Sequence, residues 1–238
     1  MLARCGAMGL QLCSSQIGSL VAALPSACTL LRRYGNEAAK DGIQWHWMVS
    51  QGHKINPCNS MLHPAVKEAG ILPEDGEEIA VQVAYTPKSH CFGCGPAHPD
   101  GLHLESKRIE HGLEARVSLP AKYCAFPGIL NGGILSTLLD CHGNWTAAIA
   151  LMDRSCLPKP PLTLTASMLV SYKEPSPPDT ELIVRSHVVA VRENQNPGLG
   201  KAAVEVDVAV LLPQADGSEK LLVQGTGIFK RLGALRAL

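Results

Sequence analysis

The 238-residue sequence predicts an α+β fold in which one antiparallel sheet curves round a single long buried helix. Three observations predict it. Residues 131–152 form one apolar run behind a polar start. Two strand-like stretches come before that run, and four more follow it, separated by turn-forming residues.

At the N-terminus, residues 1–36 contain no Asp or Glu but carry Arg4, Arg32 and Arg33 with several serines. Absence of acids combined with Arg and Ser is the composition of an organelle transit peptide. Composition does not separate mitochondrion from plastid, and a cytoplasmic protein whose N-terminus is a plain tail is the further alternative. Residues 37–87 form an extension broken into short pieces by Pro57, Pro64, Pro73 and Pro87. Trp45, Trp47 and Met48 are suited to anchoring a short helix there, 64–70 to one or two helical turns, and 74–78 to a solvated turn.

The main domain is expected over 88–232, with a tail at 233–238. Cys91 and Cys94 open it in a glycine-rich turn. A structural zinc site generally needs four ligands, and the other seven cysteines supply no second Cys-x-x-Cys. The thiols are therefore expected to pack beneath the domain, and neither metal nor cofactor is expected. Residues 102–109 and 113–119 read as a hairpin turning at His111-Gly112. Strands follow the helix at 162–173, 181–192, 201–212 and 220–231. In 203–210 valines alternate with small or charged residues, the period of a half-buried strand. Residues 194–200 and 213–217 have turn composition.

The helix carries the chemistry. Asn131 is a natural N-cap, and Gly132 and Gly133 let another backbone or a ligand approach the first turn. Unpaired N–H groups at that end suit a carbonyl oxygen or an anion. Ser136, Asp140 and Asn144 recur at i, i+4 and i+8, a narrow polar stripe on an otherwise apolar helix. A lone carboxylate among apolar residues must be paired, wet or protonated. Asp140 is therefore either a satisfied core acid, bonded to Asn144 and nearby backbone, or a working group. Cys141 and His142 point about 100° apart and make no nucleophile–base pair.

The composition excludes several classes. With 21 basic and 21 acidic residues the formal net charge is zero, so no nucleic-acid partner is indicated. No apolar run approaches the ~20 residues of a transmembrane helix.

Three ordered stretches resemble one family. Asn131-Gly132-Gly133, with Thr137 and Asp140 following, is similar to the His-Gly-Gly-x-x-x-(Ser/Thr)-x-x-Asp motif of the hot-dog-fold acyl-CoA thioesterases of the PaaI-like group. Cys91, Cys94, Gly95, Pro99, Gly101 and Leu102 resemble a Cys-x-x-Cys-Gly opening of many members. Thr165, Ala166, Tyr172 and Pro175 resemble the strand after the helix. The likeness spans roughly residues 88–232 and implies the hot-dog fold; the habit of the family also tips the expected address of the N-terminal stretch to the mitochondrion. It also implies hydrolysis of a fatty or aryl acyl-CoA to the free acid and coenzyme A. In that picture Asp140 is general base or nucleophile, Thr165 holds the water or orients the carboxylate, and Asn131 helps bind the carbonyl. Gly132 and Gly133 polarise it through their N–H groups, and Ser136 and Asn144 line the substrate.

Asn131 stands where the family usually has histidine, and an amide is neither acid nor base near neutral pH. A non-catalytic acyl-CoA-binding protein is therefore the alternative. Asp140 also lies nine residues from Asn131, about 13 Å along one helix. The resemblance resolves this distance with a homodimer or tetramer whose sites combine one subunit's helix start with another's carboxylate.

Overall fold

The computed structural model describes residues 43–72, 78–193 and 202–232. The acid-free N-terminal stretch, the 233–238 tail, the 194–200 turn and most of the 74–78 turn lie outside the described residues. Among the described residues three short helices come first: α1 (Ile43–Ser50), α2 (Pro64–Ala69) and α3 (Val81–Tyr85). His63 caps α2, its Nδ1 accepting from the Ala65 N–H at 3.0 Å, and Gly70 ends that helix at φ +65°. Trp45 is fully buried, edge-on to His63 at 5.3 Å between ring centroids, whereas Trp47 is exposed.

The strands are β1 (Ser106–Ile109), β2 (Gly112–Ser118), β3 (Cys124–Phe126), β4 (Ile129–Leu130), β5 (Thr163–Tyr172), β6 (Glu181–Glu193), β7 (Ala202–Pro213) and β8 (Glu219–Arg231). Six of them form one antiparallel sheet in the order β1-β2-β6-β7-β8-β5. Between β4 and β5 runs α4 (Gly132–Ser155), which packs on the inner face of that sheet. A sheet with this order round one long helix is the hot-dog fold, as expected.

Period-2 patterning forms the inner face. Ala202, Val204, Val206, Val208 and Val210 of β7 are all buried, with the intervening residues half-exposed. Against them lie Leu135, Leu138, Leu139, Ala147 and Leu151 of α4. The helix sits close because Gly143 faces the buried Phe229 ring of β8. A Cβ at Gly143 would stand 2.6 Å from Phe229 Cζ.

Two boundaries depart from the sequence reading. Residues 102–105 are not strand: the Leu102 and Leu104 N–H groups donate to Phe92 O at 2.7 Å and Gly93 O at 3.0 Å. Their alternating burial comes from covering the cysteine turn, not from a sheet register. The helix also runs three residues past 152 and ends at Cys156 in a left-handed conformation, φ 44°. Asp153, in that added turn, makes a two-bond pair with Arg108 of β1, at 2.6 and 2.9 Å. Arg108 Nε also donates to Cys58 Sγ at 3.3 Å, tying the segment before α2 to the same point.

A buried polar network joins the extension to the sheet and the helix. Gln82 of α3 exchanges two hydrogen bonds with Ser106, through its side-chain oxygen and nitrogen at 2.8 and 2.9 Å. Ser106 Oγ meets His142 Nδ1 at 2.8 Å, and His142 Nε2 meets Leu113 O at 3.0 Å. Only the tautomer with the proton on Nε2 satisfies both contacts, because a carbonyl can only accept. One helical turn on, Thr146 Oγ1 contacts Ser186 Oγ of β6 at 2.6 Å.

Burial pushes the His142 imidazole from 6.5 down to about 4, and His63 down to about 3. Both are therefore neutral in the folded chain near pH 7, whereas the unfolded chain takes up protons below about 6.5. Stability is full above that pH and falls as the solution is acidified toward 4, by about 3 kcal/mol for His142 alone. Urea midpoints measured from pH 7.5 to 4 show this slope, and His142→Gln flattens it. A second expectation concerns the buried ion pair. Asp153→Ala strands Arg108, whose side chain is 5% exposed, and destabilises by about 3 kcal/mol. Arg116→Ala, at a surface pair with a 57% exposed arginine, changes the same unfolding measurement by less than about 1 kcal/mol.

Candidate active site

Helix α4 begins where two backbone bonds fix the incoming chain: Leu130 N–H to Ser176 O and Asn131 N–H to Tyr123 O, both 2.9 Å. Asn131 then adopts an extended N-cap conformation, and its Oδ1 accepts from the Gly133 N–H at 2.7 Å. That bond satisfies one of the orphan donors of the first turn. It also occupies the Gly133 N–H, which the sequence alone presented as open to a ligand. The side-chain Nδ2 of Asn131 still carries donor hydrogens. In front of this helix end lies an open recess of about 370 Å³ lined by Lys122, Tyr123, Cys124, Asn131, Gly133 and Ile134. The Lys122 ammonium lies 5.0 Å from the Tyr123 ring centroid. Helix end and ammonium together make the recess electropositive.

The polar stripe meets β5 in three successive contacts. Ser136 Oγ lies 2.6 Å from the Tyr172 hydroxyl, which donates to Gly132 O at 2.8 Å. With the tyrosine proton so used, Ser136 is the donor in its bond to Tyr172. One turn on, Thr165 Oγ1 donates to Asp140 Oδ1 at 2.5 Å. At the next turn Asn144 and Thr163 clasp each other: Asn144 Nδ2 to Thr163 O at 3.1 Å, and Thr163 Oγ1 to Asn144 Oδ1 at 2.6 Å.

Of the residues singled out from sequence, Asp140 and Thr165 are therefore brought together, and Asp140 is partly open to solvent. Its acid is paired and wet, through Thr165 and not through Asn144. Asn144 has both ends of its amide engaged by β5 and acts there as a clasp. Asn131 and Gly133 lie at the recess, two and a half helical turns from the carboxylate.

Tyr172, part of the strand motif that carries the family likeness, is a site residue to which the sequence analysis assigned no role. It stands seven residues after Thr165, which in a regular strand puts it on the opposite face. The β5–β8 register shifts between Thr165 and Ser167, where β5 carries an extra residue. That bulge turns Tyr172 back to the helix side. A bulge is set by pairing with β8, and the sequence of β5 gives no signal of it.

Next to Asp140 in sequence but rotated to another face, Cys141 meets the cysteine turn. Its Sγ is 3.7 Å from that of Cys91, and with Cys94 the three sulfurs lie within 4.8 Å of one another. This is the group among the described residues with metal-ligand spacing. A hydrogen bond from the Cys141 thiol, aided by the Gly93 and Cys94 N–H groups, brings Cys91 down to about 5, and the same bond raises Cys141. His142, by contrast, is sealed in the buried network and touches none of these groups.

No family model matches the chain, and a search of curated proteins finds no match either. Among solved structures the chain is similar to a thioesterase superfamily protein from Shewanella loihica. That pair shares 23% identity and a TM-score of 0.43, covering 60% of this chain and 95% of the other. It is also similar to a thioesterase from Haemophilus influenzae, at 13% identity and TM-score 0.42, covering 57% and 82%. A third similar structure is an acyl-CoA hydrolase from Staphylococcus aureus in complex with butyryl coenzyme A, coenzyme A and coenzyme A disulfide. Its figures are 17% identity and TM-score 0.39, covering 50% and 64%. What identifies the architecture is the chain's own strand order: β1-β2-β6-β7-β8-β5 round α4 makes this a hot-dog-fold protein.

Proposed function

We propose that the chain is an acyl-CoA thioesterase that hydrolyses a fatty or aryl acyl-CoA at a site shared between two copies. The observation that carries this reading is Asp140. A carboxylate on a core helix, partly open and held through one oxygen by Thr165, is oriented to take a proton from water with the other.

In the proposed reaction water attacks the thioester carbonyl carbon while Asp140 accepts its proton. The tetrahedral intermediate expels the coenzyme A sulfur, which leaves with a proton returned from Asp140, and the acyl group departs as the carboxylic acid. Negative charge on the carbonyl oxygen is received at the helix start by the Asn131 amide and the Gly132 N–H. The Gly133 N–H takes part indirectly, by fixing the Asn131 side chain. Lys122 is suited to a phosphate of the coenzyme.

Helix start and Asp140 are about 13 Å apart in one chain, too far to share a carbonyl. A second copy supplies the missing half. The free edge of the sheet supports this: among the described residues β5 pairs only with β8, and Leu164, Leu169 and Tyr172 on it are 49%, 73% and 52% exposed. An unpaired apolar edge strand is a ready interface. The second reading, acyl-CoA binding without hydrolysis, is favoured by Asn131 in the usual histidine position.

The two readings separate in a thiol-trapping assay with acyl-CoA esters of different chain length. Asp140→Asn lowers turnover between about 100- and 10,000-fold and leaves the light-scattering mass at that of a dimer. Binding of acyl-CoA by the parent chain with no thiol release selects the non-catalytic reading, and a fully active monomer excludes the shared site. We also assign residues 1–36 to mitochondrial targeting, the organelle address from their composition and the mitochondrion from the habit of the family the chain resembles. Fused to a fluorescent protein they carry it into mitochondria; diffuse fluorescence refutes the assignment.

A further inference from the structure

We infer that Cys91, Cys94 and Cys141 form a zinc-type thiolate metal site, separate from the Asp140 face of α4 and independent of the reaction proposed above. Sulfurs bound ~2.3 Å from a tetrahedral Zn²⁺ stand about 3.8 Å from one another. The Cys91 and Cys141 sulfurs are already 3.7 Å apart, and Cys94 completes a triangle no wider than 4.8 Å. A disulfide needs its sulfurs at about 2 Å, and three thiols leave one unpaired.

The turn is built to present sulfur. Gly95 N–H closes it by donating to Cys91 O at 2.8 Å. Gly93 lets the turn sit on the helix: a Cβ there would stand 2.5 Å from Cys141 Sγ. Leu102 and Leu104 hold the turn from behind through Phe92 O and Gly93 O. Around the triangle, Trp145 Nε1–H donates to Cys94 Sγ at 3.4 Å, the outer support usual for a metal ligand. Cys94 and Cys141 are buried, and Cys91 stands at the surface, giving the ion a way in.

Three protein sulfurs leave a fourth position for water or an exogenous thiol. On binding, the metal displaces the thiol protons to water, and no oxidation or reduction occurs. The bound ion would staple the 91–104 segment to the middle of α4, which the Cys91–Cys141 and Trp145–Cys94 contacts already join to it.

The test uses the reduced full-length chain under anaerobic conditions, titrated with Co²⁺ and then displaced with Zn²⁺. One Co²⁺ binds per chain, giving visible bands of a tetrahedral centre and a thiolate charge-transfer band with the intensity of three sulfurs. Zn²⁺ bleaches both and raises the melting temperature by several degrees. Cys91→Ser, at the surface, and Cys141→Ser each weaken binding by about 100-fold or more, and lower the charge-transfer intensity by one sulfur. Circular dichroism of each variant identifies one that has failed to fold, and the Cys91 variant then decides. The inference is overturned by absence of the band in the reduced parent chain. It is equally overturned by a band that survives both substitutions, or by a disulfide among these three residues in place of bound metal.

Discussion

A core helix that carries polar side chains must have them answered from somewhere, and in this protein strand β5 answers. Ser136, Asp140 and Asn144 stand half-buried in a row, and a polar group partly shielded from water still costs free energy when left unpaired. Tyr172, Thr165 and Thr163 meet them turn by turn. The first strand after the helix therefore comes to lie along it, at the far edge of the sheet beside β8 and not next to β2. The same contacts that satisfy the helix place a threonine hydroxyl on the candidate carboxylate. Fold and site thus rest on one set of bonds.

The opposite face of α4 makes that geometry stiff. Gly143 lets the helix descend onto Phe229, and the Gln82–Ser106–His142 network ties helix, sheet and N-terminal extension together. At the helix end the Arg108–Asp153 pair adds a further link to β1. With its backbone held on that side, the helix presents Asp140 to Thr165 in one arrangement. Preorganisation of this kind is what lets a side chain act without first being ordered.

Three neighbouring residues of α4 take three separate roles because the helix turns them to different surroundings. Asp140 faces β5 and solvent, Cys141 faces the cysteine turn, and His142 faces the buried network. An angle of about 100° between successive side chains is enough to divide carboxylate, thiol and imidazole among environments that do not communicate. Adjacency in the sequence is therefore a poor guide to partnership here.

Much of the fold was legible from residues alone. The polar start and apolar run of 131–152 appear as Gly132–Ser155 behind the Asn131 cap, and the alternating valines appear as the buried face of β7. Such features depend on local periodicity and on caps a few residues away, which a sequence states directly. Those left undecided depend on partners far along the chain. Residues 102–105 look like strand until Phe92 and Gly93 take their N–H groups. Tyr172 looks misplaced until the bulge against β8 turns it to the helix, and two cysteines look two ligands short until α4 brings a third. By itself the sequence determined the long helix, the six strands of the main sheet and which acid stands out on the helix, but not the short elements α3, β3 and β4. Only the tertiary structure decided what each polar group touches, because a hydrogen bond or a sulfur contact is a matter of distance in space and can join residues 50 apart in sequence.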